Sequence, residues 1–218
     1  MIEHGGVWLP DGEQHMVEWM TRNDVRVGGV LTYQYHKLQR ALELTHGRDC
    51  VVDVGAHCGL WSMHLAREFA AVIAFEPVKE HVDCLMRNCI GVQNVQVHEC
   101  ALGNESGFVS MHYNPSSSGD TYPLPGAITG GTQLLRYDDI GIVSKVDLVK
   151  LDCEGYELFA LQGMQQMLER DKPTVVVEQK PNRAVKYGLS ETQAVTWLES
   201  LGARLICKMS GDYFLSWQ

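Results

Sequence analysis

Val51-Val52-Asp53-Val54-Gly55-Ala56-His57-Cys58-Gly59-Leu60-Trp61-Ser62 is the stretch whose reading decides the fold. Cys50–Val54 is a continuous, Val-rich apolar run, which marks a strand covered on both faces. Gly55 ends the run, a tight turn follows, and a helical pattern over Leu60–Phe69 begins just past Gly59. Glycine lets a backbone turn sharply and approach a ligand closely. In a parallel sheet the ligand crevice opens at the carboxyl ends of the strands, so this turn faces it. A dinucleotide fingerprint, G-x-G-x-x-G, puts its second glycine where a pyrophosphate touches the backbone. Here the pattern is G-x-x-x-G, and Ala56 and His57 occupy that place. The bulk of His57 argues against a diphosphate, and so against a nicotinamide dinucleotide.

Outward from this turn the chain alternates between strand and helix patterns. Residues 1–30 read as an irregular cap with one helical turn, and Leu31–His46 as a helix stopped by Gly47. After the turn come a strand at Ala71–Phe75, a helix at Lys79–Cys89, a strand at Val95–His98 and a strand-like segment at Gly107–His112. Residues 114–131 are crowded with Pro, Gly and Ser and predict a lid-like loop. Val146–Leu151 and Thr174–Glu178 read as buried strands, with one helix from Tyr156 to Leu168 between them. Ser190–Leu201 predicts a helix with Ser190 and Gln193 as a capping box. Arg204–Lys208 and Tyr213–Trp217 close the chain as a hairpin around the short Met209–Asp212 turn. The expected organisation is an N-terminal cap and helix over 1–48, then an α/β unit over 49–218. Its mostly parallel sheet carries helices on both faces and an antiparallel hairpin at one edge.

The ligand is legible in two acids. Asp53, at the end of the first strand, could face an ammonium, and Glu76 ends the second strand in Ala74-Phe75-Glu76-Pro77. An acid in the second position accepts bonds from both ribose hydroxyls and rejects a 2′-phosphate. Together with the turn, these acids suggest adenosine carrying a charged amino-acid tail, as in S-adenosylmethionine.

These residues, with Cys100-Ala101-Leu102-Gly103, Val149-Lys150-Leu151-Asp152-Cys153-Glu154-Gly155-Tyr156-Glu157 and Val175-Val176-Val177-Glu178, resemble the FkbM family of methyltransferases. The resemblance runs from about Cys50 to the C-terminus, and Lys-x-Asp-x-Glu-Gly-x-Glu is its most specific block. It implies a class I, Rossmann-like, doubly wound seven-stranded sheet. It also implies S-adenosyl-L-methionine as cofactor, S-adenosylhomocysteine as product, and O-methylation of sugars and related natural products. By the same resemblance Gly55, Ala56, His57 and Gly59 hold the cofactor's tail, Glu76 and Pro77 its ribose, and Glu99, Cys100 and Ala101 its adenine. The chain departs from the family at His57, where Asn is common. Residues 1–49 and 114–131 lie outside the resemblance, and acceptor specificity is expected there.

Methyl transfer to a hydroxyl needs a positioned base, a contribution of about 10²–10⁴-fold. Asp152, ending the Val146 strand, is the first candidate, serving as that base or bracing the cofactor's ammonium. Glu178 ends the neighbouring strand, and two close carboxylates raise one another's pKa. Glu154 should turn the same way if the backbone stays extended, whereas Glu157 reads as favouring the following helix N-terminus. No H-E-x-x-H motif is present, so no metal is assigned. Lys37, Asp152, Lys180 and Glu178 together offer a runner-up reading as a Lys-Asp-Lys-Glu set acting on RNA ribose. Tyr33, Tyr35 and His36 beside Lys37 either lid the cofactor or pack the helix.

Composition narrows the field further. The 18 basic and 27 acidic residues give a formal charge of −9, which disfavours a phosphate backbone or an anionic membrane as partner. A small-molecule or glycan acceptor is expected instead. The 7 cysteines contain no C-x-x-C pair and read as reduced, packed thiols. No secretory signal pattern or membrane-spanning apolar run is present, so a cytoplasmic location is expected.

Overall fold

The computed structural model describes residues 1–114, 117–125 and 131–217. The cap over residues 1–30 is more regular than its composition suggests. Ile2–His4 and Val7–Leu9 form one hairpin, α1 spans His15–Asn23, and Arg26–Val27 pairs with Val30–Leu31 in a second hairpin. Glycine pairs at 5–6 and 28–29 make both turns with positive φ. The apolar residues Val7, Leu9, Met16, Met20 and Leu31 are too dispersed to show a period, yet they share one cluster with Ala56, Cys58, Leu60 and Leu85. The cap therefore packs directly on the glycine turn. Leu31 belongs to the hairpin, so α2 begins later than its apolar pattern suggests and spans Tyr35–Leu44.

Seven strands form the central sheet: β1 Cys50–Val54, β2 Ala71–Phe75, β3 Val95–His98, β4 Val146–Leu151, β5 Thr174–Glu178, β6 Arg204–Met209 and β7 Asp212–Ser216. Their order is β6-β7-β5-β4-β1-β2-β3. β3, β2, β1, β4 and β5 run parallel, while β7 pairs antiparallel with both β5 and β6. β1, β4 and β5 are buried along their whole length, as their uninterrupted apolar runs require. Chain order reverses between β1 and β4, and a ligand crevice is expected outside the carboxyl ends of strands at such a switch.

The helices differ more from expectation. Over Leu60–Phe69 only Ser62–Leu65 is α-helical, forming α3, and α4 spans Lys79–Asn88. The single helix expected from Tyr156 is two, α5 Glu157–Gln162 and α6 Gln165–Asp171. The break falls at Gly163, where a Cβ would stand 1.9 Å from the Gly103 carbonyl oxygen. Close packing on that loop overrides helix propensity. α7 spans Gln193–Ser200 with Thr192, not Ser190, at its N-cap. Half of the expected box survives, since the Ser190 N–H donates to Gln193 Oε1 at 3.0 Å.

Gly107–Val109 does not join the main sheet. It pairs with Thr132–Leu135, which also pairs with Ala101–Leu102, in a separate three-stranded sheet. Within the expected loop, Tyr122–Pro123 pairs with Met111–His112. Residues 115, 116 and 126–130 of that loop lie outside the described residues.

Candidate active site

The carboxyl ends of β1, β2, β4 and β5 open onto a cavity of about 470 Å³, a size typical of small-molecule sites. Three residues on its wall, Gln34, His57 and Glu154, hold the left-handed conformation with φ of 52°, 50° and 54°. That conformation is uncommon outside glycine, and such strain collects at functional sites.

One end of the cavity is built from the turn after β1 and the end of β2. Gly55 has φ 71°, and a Cβ there would lie 1.9 Å from the Asp152 carbonyl oxygen. Its smallness thus serves close approach to the neighbouring chain segment as well as to any ligand. Gly59 lets the turn settle on Leu85, whose Cγ would be 2.7 Å from an added Cβ. Ala56 is buried in the core beneath the turn. Glu76 accepts the His57 N–H at 2.8 Å, the Val78 N–H at 3.0 Å and His81 Nδ1 at 3.1 Å. Burial alone would raise its pKa, but the hydrogen bond from His81 and the neighbouring imidazoles hold it below the usual range. Each carboxylate oxygen has two lone pairs, so Oε2 keeps one acceptor site. His57 packs against His81 with ring centroids 4.1 Å apart and planes tilted by 49°. Burial and His81 push the His57 pKa down to about 3, so its ring is neutral. Phe75, Pro77, Cys100, Ala101 and Leu102 complete an apolar slot beside Glu76.

The other end is charged. Asp152 and Glu154 line it, and one carboxylate oxygen from each of Asp152, Glu154 and Glu178 lies within 4.8 Å of the other two. Glu154 does not stay extended, as its φ of 54° shows, yet its left-handed turn still directs it to the cavity. Lys180 Nζ lies 2.8 Å from Glu178 Oε2 and 3.6 Å from Glu154 Oε1, and Arg183 Nε lies 2.9 Å from Glu154 Oε2. Burial, then the charge of Asp152, raises both Glu178 and Glu154. For Asp152, Lys150 and Lys180 overcome burial and hold the carboxyl below its ordinary value. A proton shared among these carboxyls therefore favours Glu178 over Asp152. A divalent cation could sit among these oxygens, but the Lys180 ammonium already occupies that electrostatic role.

Other expected residues lie elsewhere. Asp53 does not face the cavity: it is fully buried, accepts the Ser62 hydroxyl at 2.6 Å and pairs with Lys150 at 3.4 Å. It precedes the last residue of β1, so its side chain belongs to the buried pleat and not to the crevice. Lys37 is buried against Asp212 and does not line the cavity. Glu99 is exposed and also outside the lining. Glu178 stands behind Lys180, off the cavity surface. Tyr33 lines the cavity, Tyr35 packs on His64 with centroids 5.4 Å apart, and His36 is exposed. Glu157 is no helix-end ornament. Buried, it accepts the N–H groups of Cys153 and Gly155, each at 2.9 Å, and so shapes the loop that carries Asp152 and Glu154.

Sequence reasoning did not single out Glu13, Trp19, His81, Ser118, Asp120, Tyr156 or Arg183, all of which line the cavity. Most of them reach it from segments with no local motif.

A switch-point crevice with an acid after β2, an apolar slot beside it and a 6-7-5-4-1-2-3 sheet defines a class I S-adenosylmethionine-dependent methyltransferase. The sequence profile of the Methyltransferase FkbM domain matches residues 53–205, and the chain belongs to that family. Its cofactor is S-adenosylmethionine. Glu76, Gly55 and the Phe75–Leu102 slot fit that group, offering a free carboxylate lone pair for a hydroxyl and an apolar face for a purine. Methyltransferase sdnD of Sordaria araneosa is 27% identical, with 59% of this chain and 65% of that protein covered. Hexuronic acid methyltransferase AglP of Haloferax volcanii is 30% identical, with 59% and 55% covered. The chain thus spans a little over half the length of these curated relatives. A crystal structure of methyltransferase FkbM from Methylobacillus flagellatus superposes with a TM-score of 0.56 at 19% identity, covering 85% of this chain and 48% of that one. A Streptococcus mutans methyltransferase structure in complex with S-adenosylhomocysteine superposes at 0.52 with 9% identity, covering 84% and 94%. No helix among the described residues is long and apolar enough to cross a membrane.

Proposed function

We propose that this chain methylates a hydroxyl of a sugar-like or other small polyhydroxy acceptor, with Asp152 as the group that takes the proton. The observation that carries the reading is the cluster of Asp152, Glu154 and Glu178 with Lys180 and Arg183 at the charged end of the cavity. Held along the Gly55 turn and the Phe75–Leu102 slot, the cofactor would supply a methyl group activated by a sulfonium, its sulfur–methyl bond breaking to leave S-adenosylhomocysteine. As the acceptor oxygen takes up that methyl, it gains positive charge and its proton becomes strongly acidic. A carboxylate of depressed pKa is then base enough, and the proton passes from that oxygen to Asp152. Glu178, carrying the shared proton, donates to Asp152 and fixes its orientation. Glu154 and Arg183 are placed to hold neighbouring hydroxyls.

The acids at this end disfavour a polyphosphate, while Lys180 and Arg183 beside them leave room for a sugar. The name of the hexuronic acid methyltransferase relative supports a sugar acceptor. An RNA reading needs Lys37 free to act at the acceptor, whereas Lys37, though within electrostatic reach of Asp152, is buried in an ion pair with Asp212 and off the cavity wall. The test is to incubate the protein with S-adenosylmethionine and separate glycan and RNA pools, then find the methylated product by mass spectrometry. Asp152→Ala should lose turnover by ~10²-fold or more while keeping S-adenosylhomocysteine affinity. Retained turnover in that variant would remove Asp152 from its role, and product in the RNA pool alone would overturn the acceptor class.

A further inference from the structure

The cavity's charged end has an aromatic wall to which the reading above assigns no role. Trp19, on α1, and Tyr33, before α2, meet edge to face with centroids 4.9 Å apart and planes at 61°. Both are half-buried and both line the cavity. The Tyr33 hydroxyl lies within electrostatic reach of Asp152, Lys180 and Glu178, which puts this corner beside the carboxylates, while the two rings rest on the apolar cluster beneath the glycine turn. Gln34, next in the chain and also on the cavity wall, is held left-handed.

We propose that Trp19 and Tyr33 form the acceptor-selecting wall of this enzyme and that the acceptor they select is a pyranose ring. The proposal rests on the hydroxyl-acceptor reading of the charged end. A pyranose has an apolar face of axial C–H groups and an equatorial rim of hydroxyls. An angled pair of large rings gives that face many dispersion contacts at little entropic cost. The rim then meets Asp152 and Glu154, which accept from hydroxyls, and Lys180 and Arg183, which donate to them. The cavity of about 470 Å³ must also admit the cofactor, which limits the acceptor's buried part to about one ring. An open-chain polyol has the hydroxyls without the rigid apolar face. A polynucleotide brings phosphates against the carboxylates.

The experiment is binding to the protein saturated with S-adenosylhomocysteine, using methyl glucopyranoside, methyl galactopyranoside and methyl glucopyranosiduronate, with sorbitol as the open-chain control. Calorimetry or saturation-transfer NMR should show a pyranoside binding and sorbitol not. Trp19→Leu and Tyr33→Leu should weaken that pyranoside tenfold or more, Trp19→Phe about threefold, and S-adenosylhomocysteine less than twofold. A second readout is independent of variant folding. In 5-fluorotryptophan-labelled wild type, the Trp19 resonance among the 5 tryptophans should shift on adding pyranoside. If no pyranoside binds the wild type, the sugar-acceptor reading falls and takes this proposal with it. If a pyranoside binds but the Trp19 resonance stays still and the leucine variants bind equally, this proposal alone is overturned. Loss of S-adenosylhomocysteine binding in correctly folded leucine variants overturns it too, by placing the wall in the cofactor's half.

Discussion

Two carboxyls at the ends of neighbouring strands show how one chemical group serves opposite purposes. Glu178 is raised by burial and then by Asp152, while Asp152 is held down by Lys150 and Lys180, so the working state pairs a protonated Glu178 with an ionised Asp152. Turnover should therefore persist into mild acid, because Asp152 is held below its ordinary value, and decline at alkaline pH as Glu178 ionises. Glu178→Gln keeps a donor towards Asp152 and should erase the alkaline decline in a kcat-against-pH profile. An unchanged decline would assign it to another group. Glu157 is different, because burial lifts its carboxyl to about 7 against the pull of its N–H donors. Its folded pKa exceeds its unfolded one, so its contribution to stability is complete below ~4.3 and is lost as pH rises through about 7. Relative to Glu157→Gln, the wild type should lose roughly 3–4 kcal/mol of unfolding free energy between those limits. Denaturant titrations at several pH values measure the difference, and parallel curves would contradict it. The sequence made Asp152, Glu178 and Glu76 legible because each ends a strand at the crevice. It misled for Asp53, since one residue of register separates the buried pleat from the crevice, and a run of valines does not reveal where the strand stops.

At the scale of elements, strands were the readable part. β1, β4 and β5 are buried on both faces, so their apolar runs coincide with their observed limits. Helix limits were less readable because tertiary contacts, not propensity, set them. α5 and α6 part at Gly163 and Met164, where Gly163 lies against the Gly103 carbonyl, a contact far away in sequence. Gly163→Ala should cost about 2–3 kcal/mol, since the Cβ meets backbone that cannot step aside. Gly91→Ala is the matched control: φ is 80° with nothing within 4 Å, so only left-handed strain of ~1–2 kcal/mol remains. Thermal unfolding of the two variants separates packing from strain, and equal losses would show that the Gly103 contact is not what breaks the helix. The cap hairpins were illegible for a related reason. Two- and three-residue strands carry too few side chains to show alternation, and their stability comes from the cluster they share with Leu60 and Leu85.

For the whole molecule, the segment 117–123 joins parts that are distant in sequence. Ser118 donates its N–H to Glu13 Oε2 at 3.0 Å, and its hydroxyl bonds the same oxygen. His57 Nε2 reaches Ser118 Oγ at 2.8 Å. On the opposite side Arg183 pairs with Asp120, Tyr187 donates to the Pro123 carbonyl at 2.6 Å, and the Lys186 ammonium sits 3.0 Å over the Tyr122 ring. The strap thus crosses the cavity with one end fixed to the N-terminal cap and the glycine turn, and the other to the segment after β5. Because the Ser118 hydroxyl is committed to Glu13, it accepts from His57, and the strap's closure depends on the turn that holds the cofactor. Ser118→Ala removes this link while leaving the Ser118 N–H bond to Glu13 in place, a loss of about 1 kcal/mol. Such a loss is small for the global fold but large for a locally opening segment. The variant should unfold at nearly the wild-type temperature, yet a protease should cut within 117–125 several-fold faster, and the acceptor KM should rise more than kcat falls. S-adenosylhomocysteine should slow cleavage of the wild type and protect the variant less. Equal cleavage rates in the two proteins would mean that the Arg183 and Lys186 side alone holds the strap, and that the cap and the glycine turn have no part in closing the site.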